Sequence, residues 1–376
     1  MMDQAAGTDS LEVLLLQAGV WEPARARGAW DEFCARVDDV EALAGASYAL
    51  FPLVAVNLQP LTPTLPHGSY LQSVLKYSWA RSQKFLSAAL PMLQALRDEE
   101  IDFIVSQGVA LTSLYYQHWG ARPTMTLGVL VHPQDVEKAI RILLRNGFAP
   151  PANSRLEHEK DLLRFGHALL WSHPDKFDFH LCWHLFQPCA LESDEVNPWH
   201  RTTPCHLPGF ATKSLNATDL FLQTCLEETG ADPVSDFTRL ADAAILLHDG
   251  NLDWPALESR ARYLQRIIPV RDFILRLDRL DLGVPKSSAG HWRKILPGAL
   301  ERMEEACRPG LTRRTRIKSL ALAYLRLTQG ERGFVFWQNL GAYLRQLTEL
   351  KGVARRIALA WYVLRWHRLR VTEAAR

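Results

Sequence analysis

Cysteine is scarce, with six in 376 residues, too few for a disulfide framework in a chain of this size. Long apolar runs are missing too. The longest near the C-terminus, Ile357 to Leu364, falls far short of the roughly 20 residues that cross a bilayer. Met1 to Ser10 is polar and lacks both the basic segment and the apolar core of a secretory signal. No internal repeat or low-complexity tract is present. These absences argue against a disulfide-stapled secreted domain, a membrane-spanning chain and a repeat array. A reducing cytoplasm is the expected setting.

Hydrophobic residues make up 48% and charged residues 22%, the balance of an ordinary globular protein able to bury a sizeable core. The length suits two domains, or one with large helical additions. The net charge of +2 conceals a segregation. Thr312 to Arg376 holds 14 Lys and Arg against 3 Asp and Glu, which leaves 29 basic and 38 acidic residues in the first 311. An acidic body of −9 therefore carries a basic segment of +11. Two readings stand: attraction to an anionic partner such as nucleic acid, a membrane surface or an acidic protein, or a basic face docked on the acidic body. No specific nucleic-acid motif accompanies the charge.

The first hundred residues read as helices, with Leu11 to Ala18 opening one and Trp30, Phe33 and Val37 sharing a face of another. Pro60, Pro63 and Pro66 mark a break. A long helical pattern follows from Tyr70 to Glu100, which Pro91 is expected to kink or split. The texture changes at Ile101–Val105, a short β-rich run ending near Gly108. Val109 to His118 suits a helix, and Met125 to Val131 is a second apolar strand. Val136, Ala139, Ile140, Leu143 and Leu144 then form an amphipathic helix that Gly147 is placed to end. From Phe177 to Leu185 apolar residues alternate with Asp178, His180, Cys182 and His184, giving a strand with a polar face toward a cleft or solvent. Pro188 to Pro208 reads as irregular. Helices return at Leu220–Glu228, Phe237–His248, Pro255–Ile268 and Val270–Leu280.

Along this order lie Gln107-Gly108, Leu111, Tyr115 and Tyr116, Gly120, Arg122, Thr126 to Val131, and Asn146-Gly147-Phe148. Asp178-Phe179-His180 with Trp183 follows, then Leu240 to Ala244, Leu252-Asp253-Trp254 and Leu282 to Pro285. Their order and spacing resemble the uncharacterised nucleotidyltransferase family, a set of polymerase-β-like folds, over roughly Tyr70 to Pro285. The resemblance implies an α+β fold with a small mixed sheet and predominantly helical additions at both ends. Together with the charge and helical patterns, the expected division is a helical region at 1–95, the nucleotidyltransferase-like core at 96–190, a helical region at 191–310 and a basic, aromatic helical tail at 311–376. In the family a Lys-Gly pair follows the first strand and an Asp-x-Asp pair sits on the second.

The implied chemistry needs carboxylates. Two of them one residue apart on a strand point the same way, and with a third they hold the magnesium ions that bind a triphosphate and stabilise its departing pyrophosphate. Here the pair is Thr126 and Gly128, the lysine position is Gln107, and Asp178 alone matches. A site with one carboxylate is poor for magnesium, which is expected only if the site is active. Rescue from Asp102, Asp135, Glu137 or Asp175 would require a constellation built from non-local residues. The resemblance thus implies Asp178 as the surviving catalytic position, with Gln107, Gly108, Arg122, Thr126, Gly128 and His180 as nucleotide-binding positions.

The resulting expectation is a family member with a degraded metal site that binds a nucleotide, metabolite or partner. An active magnesium-dependent nucleotidyltransferase with a rebuilt site and a membrane-peripheral accessory protein are the alternatives. His180, Cys182, His184, Cys189, His200, Cys205 and His206 form a second cluster. It reads as cleft lining with buried cysteines, or as a zinc site of unfamiliar spacing. His180 is expected to hydrogen-bond Asp178. Arg122 suits either a phosphate at the cleft rim or a carboxylate. Trp254 reads as a packing anchor. Trp361, Tyr362, Arg365, Trp366, His367 and Arg368 suit either an interfacial helix or one docked on the body.

Overall fold

Ser10 starts the fold by accepting a hydrogen bond at its hydroxyl from the backbone of Val13, the capping that a helix N-terminus needs for its free amides. The computed structural model describes residues 10–123, 126–150, 163, 166–173, 177–186, 196–227, 232–305, 313–328, 339–340, 343–344 and 357–364. Helices α1 (Leu11–Val20), α2 (Pro23–Arg36) and α3 (Gly45–Asn57) come first, and a short 3-10 helix, Gln59–Thr64, takes up the proline-rich break. Trp30, Phe33 and Phe51 bury completely and meet with ring centroids 5.4–6.2 Å apart. Helix α4 (Gly68–Asp98) is continuous. Pro91 lies inside it without splitting it, so of the two expected outcomes, a kink or a split, the split is corrected: the apolar stripe through Phe85, Leu86, Ala89, Met92, Leu93 and Leu96 is buried on both sides of the proline.

One mixed sheet follows, with strands β1 (Phe103–Ser106), β2 (Thr126–Val131), β3 (Ala168–Trp171), β4 (Asp178–Cys182), β5 (Thr202–Leu207) and β6 (Phe210–Leu215). Their spatial order is β3-β4-β2-β1-β6-β5. Helix α5 (Gln107–Tyr115) leaves β1, and α6 (Val136–Arg145) follows β2. Gly147 ends α6 in the left-handed conformation at φ 82°, while Phe148 N–H reaches back to Leu143 O at 3.1 Å. The expected strand over Phe177–Leu185 is shorter than its alternation, and Cys182 on its polar side is buried.

The irregular reading of Pro188–Pro208 fails at its end, where Thr202–Leu207 is a strand paired with β6 in a hairpin. Pro204 disguised it. Strand β5 is the sheet edge, where a residue without an N–H is tolerated.

The C-terminal helices are α7 (Ala217–Leu226), α8 (Pro233–Asp249), α9 (Trp254–Tyr263), α10 (Ile267–Arg279), α11 (Lys286–Lys294), α12 (Ala299–Glu305) and α13 (Arg313–Leu327). Asp232 and Asp253 cap α8 and α9 with their side chains. A single apolar core runs from Val13 to Ile295, and a smaller one joins α12 and α13 to Leu340, Tyr343, Leu359, Tyr362 and Val363. The first core closes the chain on itself. Trp21 Nε1 donates to Asp281 O at 2.7 Å, Gln17 Nε2 to Leu280 O at 3.2 Å, and Arg25 pairs with Asp281 at 2.7 Å.

Candidate functional site

Strand register decides which side chains meet. Thr126 lies beside Asp178, Gly128 beside His180 and Leu130 beside Cys182 along the parallel β2–β4 pair. Gly128 also faces Ser106 across the antiparallel β1–β2 pair. Because side chains alternate, Ser106, Thr126, Gly128, Asp178, His180 and Cys182 share one face. The opposite face carries Val105, Leu127, Val129, Phe179 and Leu181, all fully buried, with Phe148 stacked edge-on against Phe179 at 6.1 Å.

The loop from β1 into α5 sets the floor of the polar face. Gln107 is left-handed at φ 60° and turns its amide toward β4, where Nε2 lies 2.6 Å from His180 Nδ1. Donation by that amide makes Nδ1 the acceptor and leaves the imidazole neutral with its proton on Nε2. Burial lowers the His180 pKa, in the same direction. His167, just before β3, is pushed down to about 4 by burial and by the neighbouring His180 and His184. The thiol of Cys182, 3.8 Å from His180 Nδ1, is raised to about 12 by burial. The expected His180–Asp178 hydrogen bond is therefore corrected: Gln107 holds the ring. Asp178 is half-buried and has no hydrogen-bond or ion-pair partner among the described residues.

A side chain at Gly128 would force its neighbours to shift. A Cβ there would stand 2.8 Å from Ser106 Oγ and 2.9 Å from Gln107 Oε1. The Ser106 hydroxyl is buried without a hydrogen-bond partner among the described residues. Gly108 is occupied in the same sense, because a Cβ on it would collide with the Arg122 guanidinium. Arg122 binds Asp242 of α8 through two contacts, Nε–Oδ1 at 2.7 Å and Nη2–Oδ2 at 2.9 Å. Tyr116 donates its hydroxyl to the same Oδ1 at 2.7 Å. Burial opposes the charge on Arg122, but Asp242 outweighs it and holds the guanidinium above the ordinary arginine range. Between the two readings of Arg122, the carboxylate has it.

The sites for rescue lie elsewhere. Asp102 is at the far end of β1, paired with Lys213 at 2.7 Å and near His132 at 3.8 Å. Glu137 pairs with Arg141 on the exposed face of α6, and Asp135 sits in the 3-10 turn before it. Asp175 is outside the described residues. The sheet order also divides the histidine–cysteine cluster, because β2, β1 and β6 separate β4 with His180 and Cys182 from β5 with Cys205 and His206. Among the described residues no three His, Cys, Asp or Glu gather in a way that would hold a metal ion; Cys189 is outside them. Among the described residues, one carboxylate, Asp178, lies on this face, and a side chain at Gly128 would crowd Gln107 and Ser106, so these residues alone do not make a magnesium site.

A β-strand, a glycine turn into a helix, an antiparallel second strand and a parallel third bearing Asp178 opposite Thr126 make up a nucleotidyltransferase-like core. The family model described as Uncharacterised nucleotidyltransferase matches residues 41–271. The chain belongs to that family. The match begins before the expected Tyr70, reaching back to the stretch that precedes α3, and it stops short of Leu282–Pro285. No curated protein and no solved structure matches the chain. The family accounts for the fold around this polar face, while Ser106, His167 and the Asp242 clamp are residues that sequence reasoning left out of the site. Asp242 alone carried a signal, as part of the landmark Leu240–Ala244. Trp254 packs edge-on against Phe221 at 6.2 Å, as an anchor does.

Proposed function

We propose that this family member binds a ligand in its cleft without magnesium and without transferring a nucleotidyl group. The observation that carries the reading is the Gln107–His180 hydrogen bond of 2.6 Å, which holds a neutral amide at the family's lysine position and beside Gly128, the position of the second carboxylate. The Thr126 hydroxyl, the Asp178 carboxylate and the His180 ring line the accessible side of the face. Such a lining suits the hydroxyl- or amine-bearing part of a nucleotide or related metabolite. It does not suit a metal-free triphosphate, which Asp178 repels. In this reading Asp178 accepts hydrogen bonds from ligand hydroxyls, Thr126 donates or accepts one, and Gln107 fixes the tautomer of His180. Gly108 and Arg122 shape the rim without contacting phosphate.

Titration calorimetry with a set of nucleosides and their triphosphates, each with and without magnesium, tests it. The expected result is binding that magnesium leaves unchanged and that the triphosphate does not improve. Magnesium-dependent triphosphate binding, or transfer of a labelled nucleotide by the wild type, would bring the active-enzyme reading forward.

A further inference from the structure

The helix at 357–364 turns two apolar faces in different directions. Leu359, Tyr362 and Val363 bury into the smaller core, beside Ala321, Leu322 and Leu325 of α13. Ile357, Trp361 and Leu364 recur at i, i+4 and i+7 on the other side and are 63%, 51% and 41% exposed. Residues on one face are thus used to hold the helix on the protein, while large apolar side chains on another meet water. Scattered exposed hydrophobics need no explanation, but three aligned on one helix face mark a docking surface.

We propose that this face docks the protein on an anionic lipid surface, and the proposal is independent of what the cleft binds. Two features select this occupant. The chain from Thr312 onward has a formal charge of +11, and Lys and Arg near an anionic leaflet each strengthen attachment. An apolar phase is also required, which a nucleic acid does not offer to Ile357 and Leu364. A lipid interface supplies both, with a tryptophan such as Trp361 favoured at headgroup depth. A second copy of the chain would bring the same +11 segment to the contact. The apolar run Ile357–Leu364 is flanked by Arg356 and Arg365 and falls far short of the roughly 20 residues that cross a bilayer, so the segment is suited to lie in the interface plane. No helix among the described residues is long and apolar enough to cross a membrane.

Flotation of the full chain with vesicles of phosphatidylcholine, alone or mixed with phosphatidylglycerol, tests the proposal. The expected result is flotation with the mixed vesicles only, weakening as salt is raised. Ile357→Glu and Trp361→Glu should each lower the partition coefficient about tenfold. Both residues are exposed, so an unchanged urea midpoint verifies that the variants fold. Failure of the wild type to float, equal flotation with neutral vesicles, or undiminished binding by both variants would overturn the proposal. So would a concentration-dependent dimer that the same substitutions abolish, which would assign the face to a second copy.

Discussion

Two buried polar pairs stand on either side of the Gln107–Gly108 turn, and they are built differently. On the cleft side Gln107 and His180 meet as neutral groups. On the helical side Arg122 and Asp242 meet as full charges, with Tyr116 as a third member. The first pair lies where nucleotidyl transfer would need charge, and the second lies where α8 is fastened to the sheet. The contrast teaches that charge in this core serves assembly. Removing one member of a buried ion pair leaves the other desolvated and alone, whereas a neutral pair loses only a modest net hydrogen bond.

The largest expected effect follows from that asymmetry. Asp242→Ala should destabilise by about 3–5 kcal/mol in urea unfolding, because Arg122 loses two charge-assisted contacts and the Tyr116 hydroxyl its acceptor. Gln107→Ala should cost only about 1 kcal/mol. Equal losses would break the comparison.

Acid should act on the neutral side. His167 is held near 4 in the fold against about 6.5 unfolded. The unfolded chain therefore binds a proton that the folded one refuses, so stability is lost as pH falls from about 6.5 toward about 4. The ceiling is on the order of 3 kcal/mol. His167→Gln should flatten that slope in urea midpoints measured across the same window. An unchanged slope would mean the histidine cluster is not desolvated.

Restoring charge sharpens the contrast. Gly128→Asp alone should cost about 2 kcal/mol by crowding Gln107 and Ser106. Adding Gln107→Lys should recover part of the loss, since an ion pair then replaces the clash. With Thr126→Asp as well, and Asp178 beside it, magnesium-dependent triphosphate binding should appear in calorimetry. If the triple variant folds and still ignores magnesium, two added carboxylates are not enough to build a magnesium site on this face. The smallest effect is reserved for an exposed pair at the far end of β1: Lys213→Ala, removing the partner of Asp102, should change stability by under about 1 kcal/mol.

Local patterns made much of the fold legible. The spacing of Val136, Ala139, Ile140 and Leu143 with Gly147 behind them specifies α6 and its end, and the β-rich runs before Gly108 and after Pro123 specify β1 and β2. The β5–β6 hairpin was hidden because Pro204 and His206 look unlike strand residues, and only their edge position makes them acceptable. Within the site, it was readable that Thr126 and Gly128 bring no carboxylate to the polar face. What stands there instead was not. A contact between Gln107 and His180, 73 positions apart, depends on a left-handed turn and a parallel register that no local window contains. The choice of Arg122 between phosphate and carboxylate likewise depended on Asp242, 120 positions away.

The seal between the first helices and residues 280–281 has a consequence for how the protein is made. Trp21 and its partner Asp281 are 260 positions apart. At a synthesis rate of about 5–20 residues per second, α1 waits on the order of 10–50 s for that partner to be made. During that interval the apolar side chains of α1, including Val13, Leu15, Leu16 and Val20, lack part of their final cover. The nascent N-terminus is thus the segment with most reason to engage a chaperone, and its release is timed by a turn translated more than two-thirds of the way along the message.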